Sequence, residues 1–263
     1  MNRLRMILAA LVTASTAAAA LPTGARGDII DKGSFKIFRG DQPLGAETFE
    51  IDEAQDSLVV RARQYLTLPS AQGDQPFEKG ADFLLSRHDY ALRQYQSTRT
   101  YRGATTVRAL VVADTHYVAY REGGSGLGEG ESRVLPPGRL FVMDSQLVTV
   151  FDLLCRSLQA TSFASRPVNL LALGPRDTML DARAVVLPSE TIRWGTKPVL
   201  ARRVQLVADS QTTFTLWVGA QGQLLRLSEP VGGLRAERDP PAVRRRIPPP
   251  PKPRESSETK PGG

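Results

Sequence analysis

Over residues 35–51 the apolar positions fall on alternate residues, first Phe35 and Ile37, then Phe49 and Ile51. Between the two runs lies a break containing Gly40, Asp41 and Pro43. Such a period of two places one face of an extended segment against a core and the other against water. The same alternation, with many β-branched and aromatic residues, marks residues 57–68, 81–86, 91–101, 105–114 and 115–122. It resumes at 168–173, 179–187, 190–194, 200–209, 212–219 and 224–230. Short strands at near-regular spacing, separated by turn-forming residues, predict an antiparallel all-β architecture.

One segment changes period. Leu147, Val150, Phe151, Leu154 and Leu158 stand at i, i+3, i+4, i+7 and i+11, one apolar stripe of a helix. The spacing predicts a helix over about 145–160, with Asp144 or Ser145 as N-cap and Gln146, Asp152, Arg156 and Gln159 facing away from the stripe. An open, strongly curved sheet must cover its inner face, and one amphipathic helix suits that task. The predicted fold is therefore mainly β: a curved antiparallel sheet or half-barrel of about ten strands, with the helix on its concave side. Phe49, Phe83, Phe151, Leu154, Phe214 and Trp217 are the candidate residues lining any space between sheet and helix.

The two ends of the chain read differently from its middle. Arg3 and Arg5, an apolar run from Met6 to Val12 and the small residues Ala18, Ala19 and Ala20 form a secretory signal, with cleavage expected near Ala20. Its apolar part falls short of the roughly 20 residues that span a bilayer. Residues 21–32 are expected to be a leader, 33–239 a single β-rich domain and 240–263 a disordered tail. That tail holds eight of the chain's 19 prolines and little that could be buried, so burial cannot offset its ordering entropy. The formal net charge of +7 comes largely from the two ends, Arg244, Arg245 and Arg246 among them. No basic domain face is implied, and nucleic acid is not an expected partner. The basic run or the Pro-rich tail is instead a candidate contact for an anionic surface or an envelope protein.

Motifs that carry chemistry are scarce. The chain has two histidines and one cysteine, Cys155, which excludes an intramolecular disulfide. Asp114 and His116 stand two apart at a junction between strands and read as a polar turn, so no metal or other cofactor is expected. The glycine-rich run at 123–131 fits neither G-x-S-x-G nor G-x-G-x-x-G and reads as a flexible hairpin loop. Cys155, beside the helical stripe, reads as a small core residue. Arg39–Gly40–Asp41 spells an adhesion tripeptide, but its residues are turn formers. No spacing selects a catalytic set, and an enzyme is not indicated.

The pattern F-x-I-x-x-x-G-x-x-x-L-G-x-E-x-F-x-I from Phe35 to Ile51 resembles the opening hairpin of a group of uncharacterised exported bacterial proteins. Residues 216–239, where Trp217 precedes a turn at Gln221 and Gly222, are similar to the same group. That group includes domains of unknown function that resemble the periplasmic lipoprotein-carrier fold. The resemblance implies a half-barrel with a covering helix and, as ligand, a lipid or acylated molecule; it implies no catalytic residues. A binding or carrier protein in the periplasm is thus the first expectation, and a non-catalytic envelope interaction protein the second.

Overall fold

The computed structural model describes residues 27–241 apart from 72, 124–125, 145–146, 160–161 and 210–211. Residues 1–20, expected to be a secretory signal, together with Ser145, Gln146 and the Arg244–Arg246 run, lie outside the described residues. β1 (Asp28–Arg39), β2 (Gln42–Ala54), β3 (Ser57–Leu68) and β4 (Gln75–Ser86) lead into β5 (Leu92–Tyr101), β6 (Ala104–Val112), β7 (His116–Glu122) and β8 (Gly128–Val134). After β9 (Leu140–Asp144) comes the helix α1 (Thr149–Gln159), then β10 (Ser165–Leu173) and β11 (Thr178–Trp194). β12 (Lys197–Val207), β13 (Thr213–Val218), β14 (Leu224–Glu229) and β15 (Leu234–Arg238) complete the sheet.

Among the described residues all fifteen strands belong to one open, curved sheet in the order β8-β7-β6-β5-β4-β3-β2-β1-β15-β14-β13-β12-β11-β10-β9. The expected number was about ten. β8, β9 and β15 carry too little alternation to be read from sequence, and β8 begins within the second half of the glycine-rich run expected to be a loop. Gly128 and Gly130 are poor strand formers, yet pairing with β7 holds them extended, since strand propensity yields to context. β8 is an edge strand, and Glu129, Glu131 and Arg133 along it discourage unwanted pairing.

Every pair of neighbours is antiparallel except β9 and β10. These two run parallel because α1 lies between them in sequence and returns the chain to the same end of the sheet. Tight hairpins join most of the rest. At the tip between β1 and β2, Gly40 takes φ +57° and donates its N–H to Gly233 O at 2.7 Å, so the Arg-Gly-Asp tripeptide forms a turn. Arg102 and Gly103 both have positive φ, the signature of a two-residue turn matched to strand twist.

The period-two pattern maps directly onto burial. In β3, Leu58, Val60, Ala62, Gln64 and Leu66 point inward, and in β4 Phe77, Lys79, Ala81, Phe83 and Leu85 do so. The concave side holds the main core and encloses α1. Leu147, Phe151 and Leu154 are at most 5% exposed, as the stripe requires. The enclosure is more complete than an amphipathic helix needs, because Asp152 and Ser157 are buried as well. Asp152 and Arg156, expected to face away from the core, join Asp31 and Arg238 in an internal ionic ring. Asp31 belongs to β1, which begins inside the segment expected as leader.

The helix is also shorter than expected, and its cap comes from elsewhere. Asp144 ends β9 and turns its carboxylate towards β4 and β5. The Val148 and Thr149 N–H groups instead donate to Glu47 on β2, at 2.8 and 2.7 Å. A carboxylate there satisfies two of the donors that every helix start leaves free, and it faces the positive end of the helix dipole.

Candidate functional site

Strand register assembles a polar stripe across the otherwise apolar concave face. Glu47 pairs with Gln64, Gln64 with Lys79, Lys79 with Arg99 and Arg99 with Thr106, so five inward positions on β2 to β6 lie in one row. Ser97, Arg108 and Arg121 form the next row over β5 to β7. The opposite wall, from β12 to β14, presents Val204, Leu206, Phe214, Leu216 and Leu227. The interior is therefore amphipathic, with a polar wall on β4–β7 and an oily one on β12–β14.

Asp144 stands where the two walls meet. Its buried carboxylate pairs with Lys79 and accepts the Tyr95 hydroxyl, with Ser97 Oγ at 3.3 Å. A charge so deep is tolerated only when it is paired and hydrogen-bonded, and Asp144 is both. Burial pushes the Lys79 ammonium below the ordinary lysine value, against the pull of Asp144. Burial and Asp144 together raise Tyr95 well above the ordinary phenol, so it stays a neutral donor.

Two chambers open on either side of this residue, sharing Asp144, Leu173 and Gly174 as a common wall. The first, about 460 Å³, is lined by Lys79, Ser97, Arg99, Thr106, Arg108 and Arg121, with Glu122 and Glu129 near its rim. The second, about 440 Å³, is lined by Met143, Phe151, Ala172, Phe214 and Leu234, with Arg176, Thr178, Thr212 and Glu229 around them. Arginines brace the seam between the sheet's two free edges. Arg108 binds Asp177 at 2.6 Å and Gly174 O, Arg121 binds Pro175 O, and Arg133 reaches Asp177 O at 3.3 Å. Three neighbouring strands thus grip one turn between β10 and β11.

Of the six residues expected to line a ligand space, Phe151 and Phe214 lie at the wall of the second chamber, with ring centroids 4.7 Å apart. Phe49 stacks on Phe35 at 5.3 Å and lies in the solid core. Phe83 packs on Tyr95 at 4.9 Å, and the void between it and α1 is only about 20 Å³. Leu154 is buried among core residues. Trp217 lies on the convex side, in a small cluster with Ile192, Ala201 and Leu225, and donates its indole N–H to Glu190. The polar lining went unforeseen. Its signal was present in β4, where Lys79 occupies an inward slot between Phe77 and Ala81.

Cys155 is fully buried, and burial raises its thiol far above the ordinary value. The thiolate is the reactive form, so iodoacetamide is expected to leave Cys155 untouched in the folded protein and to modify it after denaturation. Intact-mass measurement decides; modification of the native protein within minutes would contradict this burial. Among the described residues, no group of three or more His, Cys, Asp or Glu gathers to hold a metal ion. No helix among them is long and apolar enough to cross a membrane.

No protein-family model and no curated protein matches the chain. A solved β-barrel-like protein of a domain of unknown function, DUF1849, from Brucella abortus aligns with a TM-score of 0.53. It shares 8% identity, and the alignment covers 82% of this chain and 97% of that one. A DUF1089 family protein from Pseudomonas aeruginosa aligns at 12% identity over 68% of this chain and 87% of that one, with a TM-score of 0.42. What the Brucella likeness shows is the fold: this chain is a β-barrel-like protein.

Proposed function

We propose that the protein is exported to the periplasm and there binds an apolar or lipid-like ligand, as a carrier-type protein. The observation that carries this reading is the second chamber. It is the place where α1 leaves the oily wall of the sheet uncovered, and its volume of about 440 Å³ lies within the range of small-molecule sites. Phe151 offers one aromatic face from the helix and Phe214 another from β13, while Arg176 and Glu229 stay near water at the rim. The remaining helix–sheet contact is filled, which confines the ligand to this end of the barrel. The signal pattern of residues 1–20 supports export, and a half-barrel with an internal helix is consistent with the lipoprotein-carrier resemblance of the hairpin at 35–51.

Protein purified from its native host is expected to release a lipid or other amphiphile into organic solvent, detected by mass spectrometry. Replacing Ala172 in the chamber wall with Trp is expected to reduce the amount recovered several-fold. Repeated extracts without any bound species, or an Ala172→Trp yield equal to wild type, would count against the reading.

A second reading is an envelope interaction protein that uses a sheet edge. The free edge of β8 favours it. The charges along that edge weigh against a general strand-addition site.

A further inference from the structure

We propose that the ligand is an amphiphile with a compact oxyanion head, of the phosphate or carboxylate type, that enters the first chamber and is bound by Arg99. This rests on the carrier reading above and specifies what the carrier recognises. Asp144, Leu173 and Gly174 line both chambers, which makes the two neighbours: the tail lies against Phe151 and Phe214 in one and the head beside Arg99 in the other.

The charges of the first chamber single out Arg99. Four cations line it, and three are engaged within the protein: Lys79 with Asp144, Arg108 with Asp177 and Gly174 O, and Arg121 with Pro175 O and Glu129. The carboxylates are engaged as well, since Glu129 holds Arg121 and Glu122 accepts the Tyr120 hydroxyl at 2.9 Å. Among the described residues the Arg99 guanidinium forms neither a hydrogen bond nor an ion pair, although its backbone is paired on both sides within the chamber wall. Lys79 lies opposite it in the strand register, and the two cations repel each other. An oxyanion between them relieves that repulsion. The planar guanidinium presents paired donors matched to phosphate or carboxylate oxygens. Thr106 supplies a neutral hydroxyl on the same wall.

The test is calorimetric titration of the full-length protein with decyl phosphate, decanol and inorganic phosphate. Decyl phosphate is expected to bind about 10- to 100-fold more tightly than decanol, the range of a hydrogen bond to a charged group. Arg99→Gln is expected to abolish that difference and Arg99→Lys to keep part of it. Arg99 is exposed and unengaged, so neither change threatens the fold. Equal affinity for decanol and decyl phosphate, or an Arg99→Gln protein that still prefers the phosphate, overturns the head-group assignment and leaves the apolar site standing. Inorganic phosphate binding as tightly as decyl phosphate shows an anion site to which the chain adds nothing, and overturns the carrier reading. Failure of all three to bind overturns both.

Discussion

Glu47→Ala is expected to lower the unfolding free energy by about 3–4 kcal/mol, the sum of a lost helix cap and of buried donors left unmet. Glu47 is fully buried. Its carboxylate accepts the Val148 and Thr149 N–H groups, the Thr149 hydroxyl and the Gln64 side-chain amide. Alanine leaves those donors without water in their place. Chemical denaturation measures the loss, and a change below about 1 kcal/mol, the size of a surface substitution, would refute the capping role. The effect should also depend on pH. Burial raises the Glu47 carboxyl above the ordinary glutamate value of 4.5, while its four donors pull it down. Between the two values the native state keeps a proton that the unfolded chain releases. The part of the stability linked to this proton is thus fully present below 4.5 and is lost as pH rises through the native value. The gap between wild type and Glu47→Ala should narrow over that rise.

Asp152→Ala is expected to cost about 3–5 kcal/mol, the range for removing one partner of a buried ionic group. Asp152 accepts the Leu224 N–H at 2.7 Å and Arg156 Nε at 2.7 Å, with Arg238 at 3.5 Å. Asp31 closes the ring by binding Arg238 at 2.7 and 2.8 Å together with Arg156. Two aspartates and two arginines balance, and the ring ties β1, α1 and β15 together. Without Asp152 two largely buried guanidiniums share one carboxylate, and the Leu224 N–H has no acceptor. Asp152→Asn keeps that acceptor and should recover at least about 1 kcal/mol, the worth of one hydrogen bond. Equal stability of both variants with wild type would show that the ring does not hold the helix.

The period-two runs and the single 3.6-residue run sufficed to read an all-β fold with one internal helix, because both periods are consequences of which face is buried. Leu147, Phe151 and Leu154 could be placed on the sheet from spacing alone. Asp152 and Arg156 could not, since a polar residue opposite an apolar stripe reads as solvent-facing. Here the sheet curls far enough to cover that side too. Lys79, Ser97 and Arg99 interrupt inward slots of their strands, but the register that aligns them with Gln64 and Thr106 is a long-range property. Asp144 illustrates the same limit: its position beside a predicted helix suggests a cap, and only the tertiary fold turns it towards Lys79 and Tyr95. Trp217 shows the converse. An aromatic residue in a strand is equally suited to either face, and Phe214 and Leu216 take the inner one.

The pairing of β1 with β15 sets Phe35 against Arg238, about 200 residues apart along the chain. A chain leaving the ribosome therefore carries β1 with one unmatched flank until nearly all of the domain has been made, and closing so distant a contact is slow. The free edges, by contrast, are neighbours in sequence, separated only by residues 135–139. A circular permutant opened there, with its old ends joined, would run from one rim of the sheet to the other as an unbroken series of neighbours. It should reach the same fold faster than the natural order does.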